Sequence, residues 1–247
     1  MKNYMNSAEF NVVRKKLSEQ IADQLEKTIV TGQYQDNDKL PSEQELAQKF
    51  NVSRNVIREA MKILKERGLV KVKNGSGAFV THPNATNLTN LIERVIVIDN
   101  IDANQVYFVR ILLETANCEQ AACRITSDEL DGLRAIATRL ENRRLTLAER
   151  RELDYSFHIA IAKASGNELL LLLTQSIKSI CQNAMFLPED VEARNSIDES
   201  IAYHGKILAA LEDHNPEDAS KWMRRHLETA LNNINMTLEH KKIIESR

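Results

Sequence analysis

A chain of 247 residues with 43% hydrophobic and 28% charged residues has the composition of an ordinary globular protein, and its length suits two domains. Few aromatics, 7 Gly and 4 Pro weigh against a sheet-rich fold, and no apolar run approaches the roughly 18–20 residues of a membrane span. The net charge of −2 argues against indiscriminate nucleic-acid binding, yet residues 1–80 hold 14 Lys+Arg against 10 Asp+Glu (+4) and residues 81–247 hold 19 against 25 (−6).

The opening segment MKNYMNSAEFNVVRKK lacks the apolar core of a secretion signal. Cys118, Cys123 and Cys181 are an odd number without a CxxC, which reads as reduced thiols in a cytoplasmic protein. From about Val12 to Thr31, Val13, Leu17, Ile21, Leu25 and Ile29 recur every fourth residue and, with Val12 and Ala22, make one helix face. Thr31-Gly32 ends that helix. Ser42 and Glu45 form a capping box for a helix burying Leu46, Ala47 and Phe50. After the turn at Asn51-Val52, Ser53 caps a second helix. Its inner face is Val56, Ile57, Ala60, Met61 and Leu64, and its outer face shows Arg54, Asn55, Arg58 and Lys62. Leu69 to Lys73 alternate as a strand, Asn74-Gly75 is a strong hairpin signal, and Ala78-Phe79-Val80 returns. Taken alone, the basic outer face is a solvated helix surface. A capped helix after a short turn, followed by a basic hairpin, instead gives the order of a winged helix-turn-helix that reads DNA.

The motifs LPSE at 40–43, VSR at 52–54, Ile57-Arg58-Glu59-Ala60, Gly68-Leu69 and the Gly75-x-Gly77-x-Phe79-Val80 wing resemble the DNA-binding domain of the GntR family of bacterial regulators. One departure is QDNDK at 35–39, where that family usually has a Pro-Gly turn before its leucine. The resemblance implies DNA contacts from Gln44, Ser53, Arg54, Asn55 and Arg58, and from Lys73, Asn74 and Gly75 at the wing tip.

Residues 81–87, THPNATN, read as a polar linker, and no strand pattern persists beyond them. Helices are expected at 88–98, at 103–124 with Val106, Val109, Leu113, Ala116 and Ala121 inward, from Ser127, and at 146–164, 167–187, 193–213 and 216–243. These make an antiparallel bundle of six or seven helices. Asp154 and His158 lie four apart, so both rise from one helix face, a spacing that suits two metal ligands but equally an Asp–His hydrogen bond. His204 and His226 sit beside apolar stripes, where a histidine is more often a hydrogen-bonded core residue than a ligand.

D-x-x-F-H-x-x-I-A-x-A-S-G-N at 154–167, His204 before an apolar run, and A-x-x-x-M-x-x-H-L at 219–227 resemble the FCD effector domain found in the FadR branch of the same family. That resemblance implies a divalent metal, with Zn, Ni or Mn as the leading choices, held by Asp154, His158, His204 and His226. It also implies that Arg110 grips an effector carboxylate. The plainer reading of Arg110 is an i,i+4 ion pair with Glu114, worth about 0.3–0.5 kcal/mol at a surface.

The expected protein is mainly α, with a DNA-binding domain at 1–80, a linker at 81–87 and a helical effector-binding and dimerisation domain at 88–247. Its expected function is that of a cytoplasmic, homodimeric transcription regulator, more a repressor than an activator. It would bind a double-stranded palindromic operator and answer to a small organic-acid or sugar-acid effector, with no membrane partner and no enzymatic activity. The competing readings are a metalloenzyme-like domain fused to a DNA-binding one, and a DNA-binding protein without an effector.

Overall fold

The computed structural model describes residues 15–73, 75–81, 84–182 and 194–245. The chain splits into two compact units, Met1–Pro83 and Asn84–Arg247.

The first unit holds α1 (Leu17–Val30), α2 (Glu43–Phe50), α3 (Arg54–Glu66), β1 (Val70–Lys73) and β2 (Gly77–Val80). The expected capping box is present: the Ser42 hydroxyl accepts from the Glu45 amide at 3.2 Å, and Glu45 Oε2 accepts from the Ser42 amide at 2.7 Å. Asn51 ends α2 in the left-handed region at φ 52°, and Ser53 accepts from the Val56 amide to open α3. Only three residues therefore separate the two helices. One side of each is sealed by Ile21, Leu25, Ile29, Leu46, Ile57 and Leu64, all buried. The hairpin pairs Val70 with Val80 and Lys73 with Gly77. Leu17 is 51% exposed, against expectation, because it opens α1 and no earlier turn covers it in the described residues. Val12 and Val13 lie outside the described residues.

The 35–39 departure from the family pattern has a local solution. Asn37 takes φ 68°, a conformation that Asn tolerates better than most residues with a Cβ. Asp38 Oδ2 accepts from the Gln35 amide at 2.6 Å. The segment then runs along β2: Asn37 N–H donates to Val80 O, Val80 N–H to Asp38 O, and Leu40 N–H to Ala78 O, at 2.8–3.0 Å.

The second unit is all helical: α4 (Ala85–Asp99), α5 (Ala103–Ala122), α6 (Ser127–Leu140), α7 (Leu147–Ala164), α8 (Glu168–Gln182), α9 (Arg194–Glu212) and α10 (Pro216–Glu245). Local signals explain most starts. Asp102 caps α5, while Thr126 with Glu129 and Thr146 with Glu149 form capping boxes for α6 and α7. Helix α4 begins inside the stretch read as linker, because Asn84 accepts from the Asn87 amide and starts it early.

Helix α5 lies against α10, α7, α8 and α9 and buries residues around much of its circumference, including the polar Arg110, Glu114, Thr115 and Asn117. The expected inward Val109 is 41% exposed, because polar residues take inward positions that apolar periodicity assigns elsewhere. Phe157, Ile161, Ile207, Leu211, Met223 and Leu227 anchor the principal core, and Ile177, Ile180 and Ile234 a second one. Cys118 and Cys181 are buried and Cys123 is exposed, all three as free thiols. Among the described residues no helix is long and apolar enough to cross a membrane.

Candidate functional site

Helix α7 presents Asp154 and His158, α9 presents His204, and α10 presents His226. One potential ligand atom from each lies within 4.8 Å of all the others, slightly more than twice a metal–nitrogen bond of about 2.0–2.1 Å. Asp154 Oδ1 stands 3.3 Å from His204 Nε2 and 3.6 Å from His158 Nε2. The three imidazoles are almost wholly buried, whereas the Asp154 side chain keeps 29% of its exposure.

Burying polar nitrogens without partners costs free energy, so they point to a missing ligand. His158 Nε2 and both ring nitrogens of His204 are buried without a hydrogen-bond partner. His158 Nδ1 is paired with Glu114 Oε2, an outer carboxylate of the kind that fixes the tautomer of a ligating histidine and leaves Nε2 free to coordinate. Three imidazoles and one carboxylate suit a borderline divalent ion, so the residues fit the metal that the FCD resemblance implies. Bound there, such an ion would supply a Lewis-acidic centre able to take a carboxylate or water oxygen.

Burial favours the neutral forms of His204 and His226, while neighbouring cations favour the charged forms of Glu114 and Asp154. Burial pushes the His226 pKa well below the ordinary histidine value, and neighbouring His204 pushes the same way. Burial also lowers His204, against a smaller upward pull from Asp154. For Glu114, burial favours the neutral acid, but Arg110 and His158 outweigh it and hold the carboxyl far below the usual range. Asp154 follows the same pattern with Lys178 as the principal counter-charge. Burial and nearby Arg110 lower Lys178, offset in part by Asp154 and Glu114.

A cavity of about 180 Å³ adjoins the cluster. Asp154, His204 and His226 reach its wall, and four cationic side chains line it: Arg110, Arg150, Arg151 and Lys178. Arg150 is engaged with the carbonyls of Leu140 and Asn142 at the end of α6. Arg110 Nε donates to Glu114 Oε1 at 2.5 Å, so the i,i+4 pair exists, but both partners are buried and the surface estimate of its worth does not apply.

Glu114 as the partner of His158 and Lys178 as the partner of Asp154 were not visible in the sequence. The first pair is 44 residues apart and the second 24. A lysine in the apolar run ELLLLLTQSIKSIC was the available signal, since Lys is seldom fully buried unless paired.

In the first unit, Gln44, Ser53, Arg54, Asn55 and Arg58 are all exposed at the start of α2 and along α3. Ser53 spends its hydroxyl on the α3 cap. Arg58 Nη2 lies 3.3 Å from Glu43 Oε2, a solvent-facing pair. At the hairpin, Lys73 is exposed with its ammonium 4.9 Å from the Phe79 ring centre, and Gly75 makes the tip at φ 75°. Asn74 lies outside the described residues.

Comparison with known proteins agrees with both halves. Residues 17–80 match the family of bacterial regulatory proteins named gntR, and residues 105–229 match the FCD domain. The Glc operon transcriptional activator of Escherichia coli K12 is 27% identical over 94% of this chain and 95% of its own. The HTH-type transcriptional repressor NanR of Cronobacter sakazakii is 29% identical over 87% and 84%. Among solved structures, the Streptococcus agalactiae GntR superposes with a TM-score of 0.65 at 29% identity, covering 87% of this chain and 99% of that one. These matches leave no place for the metalloenzyme reading. The chain belongs to the GntR family of bacterial regulatory proteins, carries an FCD domain, and is a DNA-binding transcription regulator and not an enzyme.

Proposed function

We propose that this regulator binds a palindromic double-stranded operator as a homodimer and is controlled by a small carboxylate at a metal-containing pocket. The observation that carries this reading is the Asp154/His158/His204/His226 cluster, with unpartnered buried nitrogens, opening onto a cavity with four cationic side chains. The metal, of the Zn, Ni or Mn kind, is held by those four residues, and the effector is an organic or sugar acid. The metal would supply a Lewis-acidic site for an effector oxygen, and Arg110, which Glu114 holds in place, would receive the effector carboxylate.

Two copies of α3 enter successive major grooves roughly 34 Å apart. Arg54 and Arg58 are the principal base-edge readers, since arginine to guanine is the commonest specific contact. Asn55, Gln44 and the Ser53 hydroxyl make supporting contacts, and the wing brings Lys73, Asn74 and Gly75 to phosphates or the minor groove. Arg58 exchanges its pairing with Glu43 for DNA. Pairing of two copies is supported by apolar side chains left in solvent on α4 and α5: Leu91, Ile98, Phe108 and Leu112 are 50–75% exposed. Effector binding biases how the helical units orient the DNA-binding units, a coupling between two sites. The sign of regulation is proposed as repression, like that of NanR, although the Glc regulator is named an activator.

The test selects operator sequences from a random pool, then measures binding of Arg54→Ala and Arg58→Ala proteins to the selected site and to single-base variants. Each substitution is expected to cost roughly 1–3 kcal/mol and to relax preference at one base pair. Uniform weakening over all sequences would make both residues phosphate contacts. Metal analysis of a His158→Ala/His226→Ala protein checks the centre, and unchanged metal content would refute it. A footprint that no carboxylate alters, together with stability unaffected by chelation, would favour a regulator without an effector.

A further inference from the structure

Lys178 rises from α8, where Glu168 is the only other charged residue, and it is 2% exposed. Its ammonium donates to Asp154 Oδ2 at 2.7 Å, on the opposite side of the carboxylate from Oδ1, which faces His158 and His204. A single carboxylate is thus offered in two directions, to a fixed cation by one oxygen and to the histidine cluster by the other. Lys178 is also among the residues that line the cavity, together with Asp154.

The two buried carboxylates already have cationic partners without an ion. Asp154 and Glu114 contribute −2, while Arg110 and Lys178 contribute +2, and these four are linked through direct contacts to the same histidines or to one another. A divalent ion bound by neutral imidazoles takes this sum to +2 in a largely buried place, where uncompensated charge is costly. Along the cavity wall, Asp154 is the only carboxylate among the described lining residues, against Arg110, Arg150, Arg151 and Lys178. An anion of the effector class is the ready source of the missing negative charge.

We propose that Lys178 makes metal and anion binding mutually dependent: its ammonium opposes a divalent ion at Asp154 and attracts the anion that neutralises the loaded site. The ion alone binds weakly, the anion alone meets Arg110 and Lys178 already engaged by Glu114 and Asp154, and the two together bind well. Linkage requires the effect to be reciprocal, so each raises the affinity of the other by the same factor. Dianions gain more than monoanions of similar size. The inference rests on the metal-centred reading of the pocket given above, and it adds a residue and a sign that the reading does not contain.

The test is calorimetric titration of Zn²⁺ into full-length, chelator-stripped protein, alone and with succinate or acetate. Wild type is compared with Lys178→Gln, which keeps a donor for Asp154 without the charge, and with Lys178→Arg, which keeps the charge. Lys178→Gln should bind Zn²⁺ alone about tenfold or more tighter than wild type, since one nearby positive charge is gone. It should also lose most of the gain from succinate, whereas Lys178→Arg behaves as wild type. A residue serving structure alone would weaken both affinities, so opposite signs identify the proposed role. Equal or weaker Zn²⁺ binding by Lys178→Gln, or an undiminished succinate gain, overturns the proposal while leaving the metal site standing. If Lys178→Gln does not fold, the wild-type protein decides: succinate must tighten Zn²⁺ binding more than acetate does, and no anion effect overturns the proposal. A wild type that takes up no Zn²⁺ under any of these conditions refutes the metal-centred reading and this inference together.

Discussion

In the N-terminal unit the cations of α3 stand in water: Arg54 and Lys62 are exposed, and Arg58 has a partner in Glu43 that solvent screens. In the helical unit the corresponding chemistry is turned inward, where Arg110, Glu114 and Lys178 are nearly inaccessible and each is tied to a counter-charge or an imidazole. The contrast separates two uses of charge. Exposed cations contribute little to folding and remain available to a large polyanion. Buried ones must be balanced before any ligand arrives, and a ligand can bind only by rearranging or completing that balance.

The largest effect that would break this contrast comes from Glu114. Replacing it by Ala leaves Arg110 buried without its counter-charge and His158 without its outer partner. A loss of about 3–5 kcal/mol in urea unfolding of metal-free protein is expected. A loss under about 1 kcal/mol, the scale of a surface pair, would mean that the inner network is no different from the outer one.

Acidification should act next, and in its first phase, set by buried histidines, on the helical unit. His204 and His226 have folded pKa values below the ordinary 6.5, so the unfolded chain takes up protons first. Stability of the metal-free protein is therefore intact above about 6.5 and falls as the pH drops below it. Glu114 and Asp154, both held below their ordinary 4.5 and 3.8, add a second loss as the pH falls past those values toward their folded ones. Thermal melts followed from pH 8 downward check this, and a flat profile between 7 and 5 would contradict the neutral-imidazole interior.

The smallest effect sharpens the picture of the first unit. Ser42→Ala removes one half of the α2 capping box and should cost about 1 kcal/mol, without altering Zn²⁺ binding. A change in metal affinity from this substitution would show the units to be more tightly coupled than their separate cores suggest.

What could be read in advance follows the range of the interaction involved. The Ser42/Glu45 box, the Ser53 cap, the hairpin and Pro216 at the start of α10 are written in residues a few positions apart, and each appears where it was expected. The Asp154/His158/His204/His226 cluster was legible through family motifs, because its members fall at recognisable places in three helices. The partners of those residues were not. Glu114 had an obvious neighbour in Arg110 four residues away, which concealed its second oxygen's approach to His158 across the bundle. Val109 misled for a related reason: α5 is buried on too many sides for apolar spacing to give its phase.

The segment from Asn37 to Leu40 has one more consequence. By bonding to β2 on one side and running directly into the Ser42 cap on the other, it clamps the wing to the helix that precedes α3. The third attachment is Arg67, at the end of α3, which pairs with Asp23 and Glu26 on α1. Among the described residues, hairpin, turn and α3 are thereby tied together by backbone bonds, a shared core and ion pairs. Under the proposed dimeric mode of action, such a unit would move as a whole, and regulation would be written in the spacing and angle of two such units on DNA and not in the shape of either.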